Sequence, residues 1–189
     1  MRLFVAVELD EPMRAAAAEA AHKLERRLHD SVRPKWVPAE NMHLTVRFIG
    51  HVADDRVPPV LDAIGPPLAI VSFEVALGEC GVFPPHGAPR VFWIGVKEGL
   101  PSLKAMHEEF NRRLLPLGFE AETRPFSAHL TLARVKDAPG GSGAAAREAI
   151  RVVRVTPARC RVSEAVVFES RLSPKGSTYH ARLRVPLQP

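Results

Sequence analysis

His43-Leu44-Thr45-Val46-Arg47-Phe48 recurs 86 residues later (129 − 43) as His129-Leu130-Thr131-Leu132-Ala133-Arg134. Both stretches open with alternating polar and apolar side chains, the period-2 pattern of a strand with one buried face. Strict alternation sets His43, Thr45 and Arg47 on one face and Leu44, Val46 and Phe48 on the other. In the second stretch His129 and Thr131 share the polar face, with Leu130 and Leu132 behind them. With eight His and five Thr in the chain, chance supplies roughly 0.2 His-x-Thr tripeptides, so two at matching places in a repeat form a specific signal. Taken singly, a histidine on a half-buried strand is a satisfied polar group, and that reading holds for His22, His29, His51, His86, His107 and His180.

The repeat extends outward from the motifs. Arg2-Leu3-Phe4-Val5-Ala6-Val7 is echoed by Arg90-Val91-Phe92-Trp93-Ile94-Gly95-Val96, and each run is followed by a proline, Pro12 or Pro101, that opens a helix. The first helix is predicted over 11 to about 30, with Asp10 as N-cap and Ala16, Ala20, Leu24 and Leu28 along one face. The second is predicted over 101 to about 115, with Leu103, Met106, Phe110 and Leu114 on its face and Ser102 near the cap. A later pair, Glu79-Cys80-Gly81-Val82-Phe83 and Glu164-Ala165-Val166-Val167-Phe168, is offset by 85 (164 − 79). Shorter helices are expected over 54–64 and 144–153, the latter after a Pro139-Gly140-Gly141-Ser142-Gly143 loop. A C-terminal hairpin is expected with arms 158–172 and 178–187, turning at Ser173-Pro174-Lys175-Gly176. The pattern predicts one α+β domain over 1–189, made of sequence repeats at about 1–88 and 89–189. Its expected form is bilobal and pseudo-twofold: two mainly antiparallel sheets with flanking helices around a central cleft, where duplicated strands place like side chains on opposite walls.

Composition bounds what such a cleft serves. At 189 residues, 46% hydrophobic and 25% charged, the chain buries roughly 70% of its unfolded surface without disulfides or metal. Cys80 and Cys160 have no Cys or paired His beside them, which excludes a zinc knuckle and fits a reduced, cytoplasmic chain. No run reaches eighteen apolar residues, and the first ten residues run straight into Glu8 and Asp10, so neither a signal peptide nor a membrane span is expected. The net charge of 26 − 21 = +5 favours an anionic partner, phosphate first. Twenty Arg against six Lys is the habit of a GC-rich genome more than a selection for phosphate. There is no polybasic tail to track a long nucleic-acid backbone.

Two histidines and two hydroxyls suit in-line displacement at phosphorus. One neutral imidazole takes a proton from water while a second, protonated, gives one to the leaving oxygen on the opposite side. Thr45 and Thr131 can donate to the non-bridging oxygens, where charge grows in the transition state. This chemistry needs no cofactor and no metal.

Paired His-x-Thr motifs in a duplicated chain of this length resemble the two-histidine phosphoesterase superfamily. Arg2 to Val7, Trp36-Val37-Pro38-Ala39-Glu40-Asn41-Met42, Arg124-Pro125-Phe126 and the late Phe168-Glu169-Ser170, with Leu172, Pro174-Lys175-Gly176 and Tyr179, narrow it to the RNA 2′,3′-cyclic phosphodiesterase branch, also called 2′-5′ RNA ligase. The resemblance covers essentially the whole chain. It implies that His43 is the proton donor and His129 the acceptor in opening a terminal 2′,3′-cyclic phosphate to a 2′-phosphomonoester. It also implies that Thr45, Thr131 and Arg134 bind the phosphate. Alternation turns Arg134 away from the cleft unless the strand bulges after Leu132, and it favours Arg47 as a second candidate. Phe48, Phe83, Trp93, Phe126 and Tyr179 are candidates to stack on the terminal base. The expected partner is an RNA end or nucleotide carrying a 2′,3′-cyclic phosphate, met by a monomer without a membrane. Three other readings stand: hydrolysis of a small cyclic phosphate, a nucleotide-binding module without turnover, and minor 2′-5′ ligation by the reverse reaction.

Overall fold

The computed structural model describes residues 1–28, 32–122, 125–173 and 176–189. β1 (Arg2–Glu8) is buried except at its ends. Asp10 then accepts a hydrogen bond from the Met13 N–H at 2.9 Å, capping α1 (Glu11–Leu28), with Pro12 in the first turn. Ala16, Ala20, Leu24 and Leu28 form its buried face as expected, and the predicted end at 29–30 lies outside the described residues. α3 (Leu100–Leu114) buries Leu103, Met106, Phe110 and Leu114 completely. Its cap is Gly99 at φ +88 rather than a serine, and Ser102 makes no cap bond. A Cβ on Gly99 would stand 2.6 Å from the Glu74 carbonyl, so the close approach to β4 (Phe73–Phe83), as well as the left-handed turn, requires glycine. The helix expected over 54–64 starts as a 3₁₀ turn, Asp54–Arg56, and continues as α2 (Val57–Ile64). α4 (Ser142–Val152) takes up the end of the expected loop.

The remaining strands are β2 (Lys35–Trp36), β3 (His43–His51), β5 (Val91–Glu98), β6 (His129–Arg134), β7 (Arg159–Val162), β8 (Glu164–Ser173) and β9 (Gly176–Pro186). All named pairings are antiparallel, in the order β7-β4-β5-β6-β3-β1-β8-β9, with β2 on β6. The α+β, antiparallel, two-lobed expectation is met, but the two sheets are joined. A single pair, Leu44 opposite Leu130, connects the motif strands and makes one nine-stranded sheet among the described residues. The expected C-terminal arm 158–172 divides at Ser163: β7 pairs with β4, while β8 pairs with β1 and β9. The turn residues 174 and 175 lie outside the described residues.

The lobes do not follow the sequence repeats. β4, from the first repeat, lies on the β5–β6 side of the sheet, paired with β5, whereas β8, from the second, lies on the β1–β3 side, paired with β1. The helices cross as well, α1 packing on β6, β7 and α4, and α3 on β3 and α2. One expected echo is out of register. Phe4 stands opposite Phe48 and Val91 opposite Arg134, so Phe4 matches Val91, and Phe92 matches Val5. A one-residue slip reverses the face, and Phe4 lines the cleft while Phe92 is fully buried. Each buried Leu or Phe of this core is worth roughly 1.5–3 kcal/mol relative to exposure. Among the described residues, no helix is long and apolar enough to cross a membrane.

Candidate active site

The Leu44–Leu130 pair lies at the centre of the site. Antiparallel register about it sets His43 toward Thr131 and Thr45 toward His129, and all four line one cavity of about 590 Å³. Each histidine ring is fixed by the backbone two residues before it. His43 Nδ1 donates to the Asn41 carbonyl at 2.8 Å and His129 Nδ1 to the Ser127 carbonyl at 2.7 Å. With Nδ1 so engaged, Nε2 is the nitrogen left to exchange a proton with a ligand.

Alternation fails at the same place in both strands. Between β1 and β3 the register passes from Val5 opposite Arg47 to Ala6 opposite Thr45, so Val46 is an extra residue. Between β5 and β6 it passes from Phe92 opposite Ala133 to Trp93 opposite Thr131, leaving Leu132 extra. Each bulge turns two successive residues to the core and the next one to the cleft. Arg134 therefore enters the cavity with His43, Thr45, His129 and Thr131. Arg47 does not. It is 5% exposed and turned to the core side of β3, where it donates to the carbonyls of Phe48 and Glu120 and pairs with Glu122. The expectation of Arg47 as a phosphate ligand is thus overturned by the bulge at Val46. Its neighbour Phe48, 47% exposed, is the positional counterpart of Arg134 on the cleft wall.

The surroundings of the two histidines differ. The His43 ring lies 4.9 Å from Phe4 and edge-on to Tyr179 at 5.2 Å, with Phe168 at 6.4 Å. Burial pushes its pKa down, opposed by the Asn41 carbonyl and assisted by the positive charges of Arg134 and His129. His129 is edge-on to Phe83 at 5.3 Å, with Trp93 at 6.3 Å. Trp93 lies flat over Gly81, where an added Cβ would come within 2.2 Å of the indole. Of the stacking candidates, Phe48 and Tyr179 line the central cavity, Phe83 and Phe126 line its flank, and Trp93 stands behind His129. Tyr179 arrives on β9, and no local pattern in the sequence announces it as a neighbour of His43. Asn41 and Ser127 could have been found by their common position two residues before each motif.

Two further hollows open from the cleft. One of about 890 Å³ shares Thr45, Phe48 and His129 and is walled by Pro84, Pro125 and Phe126. The other, about 560 Å³, shares Asn41, Arg134 and Tyr179 and runs along Trp36 and Leu172.

Residues 11–173 match the family model of the 2′-5′ RNA ligase superfamily. The chain belongs to that superfamily. Within it, a Thermotoga maritima protein named RNA 2′,3′-cyclic phosphodiesterase is 31% identical over 180 residues, 95% of this chain and 91% of its own. A Thermus thermophilus protein of the same name is 38% identical over 152 residues, 72% and 69% of the two chains. An Aeropyrum pernix protein, also so named, reaches 42% over 113 residues, 58% of this chain and 62% of that one, so less than two thirds of its length is matched. A solved Thermus thermophilus structure superposes over 100% of this chain and 98% of that one at TM-score 0.78 and 28% identity. E. coli LigT shares the superfamily fold at TM-score 0.75 and 23% identity over 100% and 98% of the chains.

Proposed function

We propose that this chain hydrolyses RNA 3′-terminal 2′,3′-cyclic phosphate to a 2′-phosphomonoester, without a metal, through His43 and His129. The observation that carries the reading is the mirrored pair of histidines, each fixed at Nδ1 by the carbonyl two residues upstream and each beside a threonine in one cavity. The shared name of the Thermotoga and Thermus relatives supports the substrate. Neutral His129 takes a proton from water at Nε2 as the water oxygen attacks phosphorus. The P–O3′ bond breaks, and His43 imidazolium passes its Nε2 proton to the departing 3′ oxygen. Thr45, Thr131 and Arg134 donate to the non-bridging oxygens as their charge grows.

Burial disfavours the imidazolium of His43 in the free protein. A phosphodiester anion between the two rings offsets that penalty, so the donor form of His43 is made as substrate binds. The hollows on either side of the cleft favour a substrate extending beyond one nucleotide. E. coli LigT has been solved with 3′-AMP, which supports a nucleotide as the class of ligand here. The same reading takes the protein as a cytoplasmic monomer: both motifs come from one chain, and its two cysteines are unpaired.

The test is product analysis on a short RNA ending in a 2′,3′-cyclic phosphate, in EDTA, beside the matching cyclic mononucleotide. Opening of the oligonucleotide to a 2′-phosphate by the wild type, and its loss in His43→Ala and in His129→Ala, is expected. An unopened oligonucleotide would refute the assignment; faster turnover of the mononucleotide would move the substrate to a small cyclic ester.

A further inference from the structure

Behind the cleft, on the core side of β3, lie two buried polar side chains that the reaction does not touch. Arg47 is 5% exposed and His107, from α3, is 6% exposed. At the position matching Arg47 the second motif has Ala133, fully buried. The strand pair thus forms without a guanidinium at that point, and a desolvated cation needs another reason to be there.

Both side chains reach the same stretch of chain, the approach to His129. Residues 119–122 and 125–128 have neither helix nor strand. Among the described residues, no backbone–backbone hydrogen bond ties 120–127 to a regular element. Arg47 instead donates to the Glu120 carbonyl and pairs with Glu122 Oε1 at 3.3 Å. The His107 ring stacks on Phe126 at 4.6 Å between centroids and 19° between planes. His107 is itself fixed in one tautomer. Nδ1–H donates to the carbonyl of the bulge residue Val46 at 2.7 Å, and Nε2 accepts from the Asn111 amide at 2.9 Å. The next residue after Phe126 is Ser127, whose carbonyl orients His129.

We propose that Arg47 and His107 are positioning residues for His129: from the first motif strand and the helix behind it, they hold the segment whose Ser127 carbonyl sets the tautomer and angle of the second catalytic ring. The bulge at Val46 makes this possible, because it turns Arg47 inward and offers the Val46 carbonyl to His107. The first motif strand thereby helps to set the geometry of the second motif's histidine. The inference rests on the catalytic reading of His129 for its effect on turnover, but the ring geometry can be read without any reaction.

The experiment is side-chain ¹⁵N NMR of the histidines in the full chain, run beside steady-state kinetics on the cyclic-ended RNA. The variants are Arg47→Met, Arg47→Lys and Phe126→Leu, the last removing the stacking ring while keeping apolar volume on a partly exposed residue, so that one variant folds if a buried charge change does not. In the wild type, His129 is expected as the Nδ1–H tautomer. In Arg47→Met and Phe126→Leu its nitrogens should move toward averaged values while those of His43 stay in place. Correspondingly, kcat should fall about tenfold to a hundredfold with KM within about twofold, the pattern of a misplaced reacting group. Arg47→Lys, which keeps a cation beside Glu122, should restore part of both signals. Unchanged His129 nitrogens in folded Arg47→Met and Phe126→Leu overturn the proposal. A wild type without turnover but with the tautomer shift overturns the catalytic reading alone.

Discussion

His43 and His129 occupy equivalent places about the Leu44–Leu130 pair, yet their supports are unlike. The carbonyl that orients His43 belongs to Asn41, in a 3₁₀ turn closed by its own backbone, Asn41 N–H to Pro38 and Met42 N–H to Ala39. The Asn41 amide also donates to Ser177 on β9 at 3.1 Å. The carbonyl that orients His129 belongs to a coil held by side chains, Arg47 and His107. Around the rings the contrast continues: Phe4, Phe168 and Tyr179 surround His43, whereas His129 makes T-shaped contacts with Phe83 and Trp93. The twofold repeat sets where the reacting groups stand. The repeat does not copy the neighbours: burial lowers the pKa of His43, and the proposed mechanism assigns that ring the role of acid and His129 the role of base.

The largest expected effect tests whether the halves act as one unit. His43→Ala and His129→Ala should each lower kcat by about 10²–10⁴-fold, and the double variant should be little worse than either single one, because in the proposed mechanism both groups serve one step. Additive losses in single-turnover rates would break the pairing. Next comes the pair of residues five places after each histidine. Arg134→Gln should lower kcat/KM by about tenfold to a hundredfold, from a charge-assisted bond of about 1.5–3 kcal/mol. Phe48→Ala should cost only about 1 kcal/mol, near fivefold in KM for an oligonucleotide and less for inorganic phosphate as inhibitor, if its ring stacks on a base. Equal effects of the two changes on phosphate inhibition would erase the distinction between the walls.

Between those lies Gly81→Ala, which places a methyl against the Trp93 ring. A loss of about 1–3 kcal/mol in denaturant unfolding is expected, with reduced kcat, whereas Val166→Ala at the matching position of β8, which packs with Phe4 and Phe168, should lower stability through lost packing and let those rings settle toward the space it leaves. Crystal structures of both variants would check the ring positions. The smallest effect is in pH dependence. As the proposed proton donor His43 must be protonated, and burial lowers its pKa in the free protein, so the high-pH limb of kcat/KM should fall at lower pH than that of kcat, where bound phosphate restores the charge. Coincident limbs would show that substrate does not retune His43, although the two titrations belong to the pair rather than to either ring alone.

Period-2 alternation and the 86-residue echo were legible in one dimension, and with them the motif strands, the four His and Thr side chains and the helices behind them. These depend on local stereochemistry, on which residues share a face and which buried faces need a partner. Arg47 and Arg134 exchanged places because a bulge is a relation between two strands: Val46 and Leu132 are extra only when counted against β1 and β5. The exchange of β4 and β8 between lobes, the arrival of Tyr179 from β9 beside His43, and the reach of Arg47 to the approach of the other motif are likewise long-range. Spacing along the chain carries no term for contacts between residues so distant in sequence, so only the packed structure could decide them.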